Sequence, residues 1–591
     1  MTTKIPKNHM YRNQPTYLHV AKSLQSKSHI LDNIPGFLYV HVHRTYSVLY
    51  VFYEIRPFFI SRKSWKLSQQ VCLQVWLVVS SHMASLHDAP LAVPPALEER
   101  LKTFGQQHTL DWLKRGLLSS DEASKLVSQL SELDLQRVAD AYASTQSADA
   151  AVSSAAAGPT IEPPDPAFCE ALDAVSQEDR QRFDALGRAE IAAGRAAVII
   201  LGGGQGTRLG FDGPKGLYNI ALPSSKSLFQ LYAERIVRLQ QLVAEGSNKK
   251  VAVPLFVMTS PLNHDTTREF FEQRDFFGLD AQHVHFFRQG TLPALTDSTS
   301  PSGGGKIIMQ SGHQLSEAPD GNGGIYNALE VTGVLAALEA SQVHSVHVFS
   351  VDNAVCKVAD PVFLGFCLSR CAEVGNKVVW KTSPGEKVGV VARRDGRTAI
   401  VEYSELSEEL ATQTDPSTGK LAFGAGNICN HYFTVPFLRK VATAYRDEPA
   451  VMPYHVAKKK IPSADAATGA TLPMPDTPNG VKLEAFIFDS FPLAAKSAIL
   501  EVRREEEFSP VKNAPGPGSI DSPDTARGMI MSLHRNWAEA AGARFSSSDA
   551  AIGSFEISPL VSYGGEDLES SVGGQVLSPT ADAPVHITER R

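Results

Sequence analysis

The chain has 591 residues, a formal net charge of −7 at pH 7, 43% apolar and 20% charged residues. That length buries a large core and divides into more than one domain, and the composition is that of an ordinary soluble globule. The acidic balance excludes nucleic acid and an anionic membrane as general partners, and six cysteines without a Cys-x-x-Cys pair imply neither a disulfide framework nor a zinc site but a reducing, cytoplasmic setting.

Residues 1–82 differ from the rest and are expected to be an extension outside the fold, with Met83 as the working start. The stretch from Phe37 to Tyr53 is aromatic and strand-like, while Val71 to Val79 is too short to span a bilayer. No basic, apolar and small-residue succession marks a secretory signal at the N-terminus.

Residues 83–166 read as a helical region and a linker. Ser119 with Glu122 forms a capping box, and Leu126, Leu130 and Leu133 recur at helical spacing, so a helical layer is expected over about 96–143. The Ala- and Ser-rich stretch from Ser144 to Pro166 reads as the linker.

Residues 167–546 carry the chemistry. The apolar run Ala197 to Leu201 reads as a buried parallel strand, and it ends in Gly202-Gly203-Gly204-Gln205-Gly206. Glycines leave the backbone N–H groups bare to an anion, and Arg208 and Lys215 follow as cations. Two better-known glycine loops do not fit. A dinucleotide fingerprint needs a sixth-position glycine where Thr207 or Leu209 stands, and a P-loop needs Ser or Thr after its Gly-Lys, whereas Lys215 lies between Pro214 and Gly216.

Short apolar runs at Leu255–Thr259, Val284–Arg288, Val346–Val351 and Val378–Lys381, separated by helical patterns, predict a doubly wound parallel sheet. Asp320-Gly321-Asn322-Gly323-Gly324 is a second backbone-exposing loop leading into a helix. The run from Val346 delivers Asp352 at a strand end, where open α/β sheets put their ligands. Val388–Arg393 and Ala399–Tyr403 flank Arg394-Asp395-Gly396-Arg397 and read as a hairpin added to the sheet. The pairs His283/His285 and His344/His347 have no evident third ligand and do not read as zinc sites. Residues 547–591 read as a small β-rich region without hexapeptide repeats.

Taken together, Leu201–Gly210 with Pro214-Lys215-Gly216, Met258-Thr259-Ser260, Gln289-Gly290, Asp320–Gly324, Val351-Asp352-Asn353, Val401–Ser404, Gly426-Asn427-Ile428, Lys458–Ile461 and Phe508–Asn513 resemble the eukaryotic UDP-N-acetylglucosamine pyrophosphorylase family over about residues 96 to 577. The chain departs from the family pattern at Gly202, where Ala is usual and where glycine is expected to loosen the loop slightly. It also departs at Ser298–Gly305, which reads as an insertion, and over residues 1–82.

The resemblance implies an α/β, Rossmann-like core of the glycosyltransferase-A type that joins UTP to N-acetylglucosamine 1-phosphate and releases pyrophosphate. It implies uridine-nucleotide contacts from Leu201, Gly202, Gly203, Gly204, Gln289, Gly321, Asp352 and Lys482, with Arg208 and Lys215 on the phosphates. Asn322, Glu402, Tyr403 and Asn427 would hold the sugar and Lys512 its phosphate. Asp352 would anchor Mg²⁺, for which Mn²⁺ could substitute. The expected partners are the two substrates alone, with no nucleic acid and no membrane, for a monomer or weak homodimer. N-acetylgalactosamine, glucose and galactose 1-phosphates stand as alternative sugars, and a non-catalytic nucleotide-sugar sensor as an alternative role.

Overall fold

The computed structural model describes residues 39–45, 48–54, 93–154, 159–245, 250–448, 451–546, 554–580 and 582–589. The chain divides into two units, residues 1–90 and residues 91–591. In the first, Tyr39–Thr45 and Val48–Glu54 pair as an antiparallel hairpin. The expected start at Met83 and most of the 1–82 extension lie outside the described residues.

The second unit is mixed α/β around one large sheet. Besides the two-residue strand Ile161–Glu162, its strands are β1 (Cys169–Ala171), β2 (Ala196–Leu201), β3 (Leu255–Thr259), β4 (Val284–Arg288), β5 (Ser345–Ser350), β6 (Val374–Trp380), β7 (Val390–Arg394), β8 (Arg397–Val401), β9 (Ala425–Thr434) and β10 (Ser497–Glu501). The spatial order is β1-β10-β6-β9-β5-β2-β3-β4. Strands β5, β2, β3 and β4 run parallel, as do β6, β10 and β1.

The sheet departs from the expected all-parallel arrangement at β9, which is antiparallel to both β5 and β6. The cause is the connection. After Trp380 the chain makes the β7–β8 hairpin and re-enters opposite the residue at which it left, Trp380 pairing with Ala425, without the helical crossover that a parallel neighbour requires.

Every residue of β2 is buried. Val198 and Ile200 join the core on one face of the sheet, and Ala197, Ile199 and Leu201 the core on the other, which is why the run shows no alternation. The capping box forms as the spacing predicts: Glu122 N donates to Ser119 Oγ at 3.4 Å and Ser119 N to Glu122 Oε2 at 2.9 Å, starting helix Ser120–Glu132.

The expected linker over 144–166 is partly structured. Its Ala-rich start continues helix Leu135–Ser154, as good helix formers do, and Ile161–Glu162 pairs with Arg393 and Arg394 of β7. The N-terminal helices do not bury their apolar faces alone. Leu101, Leu126 and Leu130 share a core with Leu292, Leu295, Met309, Val481 and Leu483. Toward the C-terminus, two short parallel strand pairs, Arg544–Phe545 with Val576–Leu577 and Phe555–Ile557 with Val585–Ile587, close over a separate apolar cluster.

Candidate active site

The glycine loop emerges where β2 ends, with Leu201 paired to Met258 on one side and to Ser350 on the other. Gly202 N donates to Met258 O at 2.8 Å, and Gly202 O accepts from Asn263 Nδ2 at 3.1 Å. A Cβ on Gly202 would lie 3.2 Å from both Met258 O and Val257 Cγ1. Glycine here sits in a tight space with both polar groups bonded, so the expected loosening does not follow.

A Cβ on Gly203 would come within 2.6 Å of Gln289 Oε1, which lays the Gln289 amide against the loop. Gly204 is different: it is exposed and nothing stands within 4 Å of its missing Cβ, so its backbone borders open space. Its carbonyl accepts from Lys215 N at 3.1 Å, and Gln205 bridges to Pro214. The chain thus folds back and returns Lys215 to the loop that Leu201 began.

Asp352 arrives beside it from β5. Buried Tyr232 donates its hydroxyl to Val351 O at 2.9 Å and to Asn353 O at 3.0 Å, fixing the backbone on both sides of Asp352. Asp352 Oδ2 lies 3.9 Å from Lys215 Nζ.

The segment carrying Lys512 is clipped to the same turn. Asn353 Nδ2 donates to Glu507 O at 2.7 Å, Ser509 N to Asn353 Oδ1 at 3.0 Å, and Val511 N to Asp352 O at 2.9 Å. The Glu507 carboxylate accepts from fully buried Lys377 at 2.7 and 2.9 Å, and Asp360 Oδ2 accepts from the same ammonium at 2.6 Å. Lys512 itself is exposed. Burial pushes the Cys429 thiol up to about 12, with Asp352 adding to the rise and Lys512 opposing it, so both charges act on one point of β9.

The second loop closes the other side. Gly321 has φ +88°, and a Cβ there would stand 2.2 Å from Ala485 O. Ala485 O also accepts from Gly323 N at 2.8 Å, and Ile487 N donates to Asn322 Oδ1 at 3.0 Å. Lys482 lies just upstream on strand Gly480–Glu484, opposite Ala457.

Glu402 and Asn427 meet at Gly389. A Cβ on Gly389 would lie 2.8 Å from Glu402 Oε1, and Asn427 N donates to Gly389 O at 2.8 Å. Burial raises the Glu402 carboxyl above the ordinary range, and the nearby Glu405 charge adds to the rise. Leu201, Gly202, Gly203, Gly204, Lys215, Gln289, Gly321, Asn322, Asp352 and Lys512 are therefore tied to the two loops and the β5 turn, and Glu402 and Asn427 form a neighbouring pair. Arg208, Tyr403 and Lys482 are not bonded to the others among the described residues. Arg208 is exposed on turn Thr207–Leu209, and Tyr403 is 46% exposed.

Residues 141–566 match the family model described as UTP–glucose-1-phosphate uridylyltransferase. The chain belongs to this family. It is 40% identical over 500 residues to UDP-N-acetylglucosamine diphosphorylase 1 of Arabidopsis thaliana, covering 83% of this chain and 93% of that one. It is also 40% identical over 462 residues to UDP-N-acetylglucosamine pyrophosphorylase of Saccharomyces cerevisiae, covering 77% and 93%. The crystal structure of the uridine diphosphate N-acetylglucosamine pyrophosphorylase from Trypanosoma brucei in complex with inhibitor superposes with a TM-score of 0.67 at 32% identity, over 81% of this chain and 95% of that one.

Three supports of this uridylyltransferase site escape sequence reading. Asn263 spans Ser260 N at 2.8 Å and Gly202 O, and its only signal is its place just before helix His264–Glu272. Asn353 stands in a recognised motif, but its grip on the Glu507–Ser509 backbone has no sequence signature. His455 Nε2 lies 3.0 Å from Asp489 Oδ2 and its ring stacks on Phe486 at 4.4 Å. Burial opposes charge on His455, but the Asp489 hydrogen bond and the Asp489, Glu405 and Glu402 carboxylates outweigh it and raise its pKa.

Among the described residues no group of three or more His, Cys, Asp and Glu could hold a metal ion, and no helix is long and apolar enough to cross a membrane. His347, one of the residues weighed for zinc, is buried with both ring nitrogens bonded, Nε2 to Asn430 Oδ1 at 2.7 Å and Nδ1 to Ala359 N at 2.9 Å. The Asp352 side chain is 15% exposed and has Lys215 Nζ 3.9 Å away, a donor set of one carboxylate with room beside it; Mg²⁺ is usually bound by one or two carboxylates together with waters and substrate phosphates.

Proposed function

We propose that this chain joins UTP to N-acetylglucosamine 1-phosphate, giving UDP-N-acetylglucosamine and pyrophosphate, in a glycosyltransferase-A-type nucleotidyltransferase core. The observation that carries this reading is the convergence of Lys215, Asp352 and the Lys512 segment beside bare glycine backbone. The printed names of the relatives support the amino sugar.

An oxygen of the sugar phosphate attacks the α-phosphorus of UTP in line with departing pyrophosphate. One P–O bond forms, the bond to the β-phosphate bridge breaks, and pyrophosphate leaves with the bonding electrons. No protein nucleophile is required, because the attacking phosphate is already ionised at neutral pH. The obstacle is charge. Two unit charges about 4 Å apart repel by roughly 1 kcal/mol in water and about 4 kcal/mol at an effective dielectric of 20, and several such pairs act together.

In this reading the N–H groups of Gly203 and Gly204 face the nucleotide, with Gln289, Gly321 and Lys482 orienting it. Arg208 and Lys215 stabilise charge on its phosphates, and Lys512 brings in the sugar phosphate. Glu402 accepts from sugar hydroxyls, Asn322 and Asn427 offer amides to the acetamido group, and Tyr403 closes that side. Asp352 would hold Mg²⁺, which supplies further neutralisation of phosphate charge when bound. A monomer or weak homodimer in the cytoplasm completes the reading, and the free cysteines Cys169, Cys356, Cys367, Cys371 and Cys429 support a reducing compartment.

The test is pyrophosphate release from UTP with a panel of sugar 1-phosphates, with and without Mg²⁺. N-acetylglucosamine 1-phosphate is expected to give the highest kcat/KM, with Mg²⁺ required. Release with glucose 1-phosphate alone would change the sugar, and no release with any of the panel would overturn the reading.

A further inference from the structure

Helix Leu135–Ser154 of the N-terminal layer meets the loops of the site in a shared apolar core and, beside it, in an ion pair between half-buried Arg137 and buried Asp320. Asp320 stands immediately before the Gly321 turn with its side chain 1% exposed. Its backbone joins two other segments of the site: Asp320 N donates to Gly290 O at 3.2 Å, and Ala485 N donates to Asp320 O at 2.8 Å. Its carboxylate fills the space beside two glycines, where a Cβ on Gly290 or Gly324 would come within 2.8 or 2.0 Å of an Asp320 oxygen.

That carboxylate is thinly supported. Oδ1 is buried with no hydrogen-bond partner, and Oδ2 is met by Arg137 Nη2 at 3.5 Å. Arg137 is itself held in place. Its Nε and Nη2 donate to Tyr454 Oη at 3.1 and 2.8 Å, Nη2 also donates to Tyr445 Oη, and the two tyrosine hydroxyls bond each other. A buried carboxylate with a single cation is stable only while that cation stays, because an unpaired buried charge is costly.

We propose that Arg137 and Asp320 form a strut by which the N-terminal helical layer sets the spacing of Gln289-Gly290 and Gly321, so that both are positioning residues, chiefly for the uridine nucleotide. The proposal rests on the uridylyltransferase reading. Lys512 is held by a separate set of bonds, through Asn353 and Glu507, Glu402 and Asn427 sit against Gly389, and only Asn322 of the sugar contacts shares the Gly321 loop, so the sugar phosphate should be less affected.

Among the described residues the charged and titratable groups facing Asp320 are Arg137 and Tyr445, and Tyr454 bonds both of them. Burial pushes the Asp320 carboxyl up to about 6, and Arg137 opposes that rise. Removing the guanidinium therefore moves the carboxyl higher still. A side chain that only packs would leave such a titration unchanged.

The experiment is equilibrium titration of UTP with Mg²⁺ into the full chain across pH, for the wild type, Arg137→Met, Arg137→Lys and Asp320→Asn. Arg137→Met is expected to weaken UTP about tenfold, the scale of one hydrogen bond to a charged group, and to lose the acid limb of affinity, because no pair remains for protonation to break. Arg137→Lys should restore part of both, and Asp320→Asn should lack the limb. In steady-state assays the KM for UTP should rise more than that for the sugar phosphate. Folded Arg137→Met with wild-type affinity and limb would overturn the strut. Should Arg137→Met fail to fold, an unaltered limb in Asp320→Asn would overturn it equally. Wild type that binds UTP with the limb described, yet releases no pyrophosphate, would sink the activity and leave the strut standing. Wild type that does not bind UTP would sink both.

Discussion

Lys215 Nζ lies 3.9 Å from Asp352 Oδ2, with the two side chains only 18% and 15% exposed. The separation is too long for a hydrogen bond, so the two groups interact through charge alone. A partly exposed pair of this kind adds about 1 kcal/mol of stability or less. A cation aimed at developing phosphate charge is worth far more to the rate. Lys215→Ala is expected to lower turnover about 10²- to 10³-fold while leaving Tm nearly unchanged. Pyrophosphate release beside thermal melts checks this, and near-normal turnover would remove Lys215 from the reaction.

Asp352→Ala should abolish activity and with it the response to Mg²⁺, while Lys215 loses its counter-charge and the fold persists. Initial rates across a Mg²⁺ titration are the measurement. A variant stimulated by Mg²⁺ as strongly as the wild type would separate Asp352 from the ion.

The glycines divide by what surrounds them. Gly321→Ala combines φ +88° with a methyl 2.2 Å from Ala485 O, and should destabilise by about 2–4 kcal/mol. Gly204→Ala meets no atom within 4 Å and should melt like the wild type, yet raise the KM for UTP by placing a methyl where the nucleotide is proposed to approach the loop. Equal Tm losses in the two variants would contradict this assignment of the loops.

Lys512→Ala and Asn353→Ala should share one kinetic defect for different reasons. Loss of the ammonium raises the KM for sugar 1-phosphate directly. Loss of the Asn353 amide releases the Glu507–Ser509 backbone and lets the Lys512 segment drift, at a cost of about 2–3 kcal/mol for two unmade buried bonds. Only Asn353→Ala should therefore lower Tm. A sugar phosphate KM unchanged in Lys512→Ala would dismiss that lysine.

Glu402 sets a limb in the pH profile. Burial and then Glu405 raise its carboxyl, so as pH falls it protonates earlier than an ordinary glutamate and ceases to accept fully from sugar hydroxyls. Glu405→Gln keeps an oxygen for Glu402 N, now accepted by Glu405 Oε2 at 2.9 Å, but removes a negative charge. The acid limb of kcat/KM for the sugar phosphate should then move to lower pH. A shift the other way would show that Glu405 does not act through charge.

The legible parts were those written contiguously. Leu255–Thr259 and Val284–Arg288 form strands over those bounds, and the Arg394–Arg397 turn joins an antiparallel pair, because apolar runs and turn residues act through near neighbours. The direction of β9 was not legible, since it depends on where the chain re-enters the sheet. Residues 144–154 differ from the expected linker for a related reason: Ala favours a helix and Ser a linker, and the packing of the preceding turns decided for the helix.

By itself the sequence determined that a buried strand would end in a glycine loop followed by Lys215, because backbone access and a local cation are properties of consecutive residues. Only the tertiary structure decided that Asp352 stands beside that lysine, that Asn353 pins the Lys512 segment there, and that Arg137 meets Asp320. Electrostatic attraction and hydrogen bonding depend on separation through space, and no spacing along the chain encodes it.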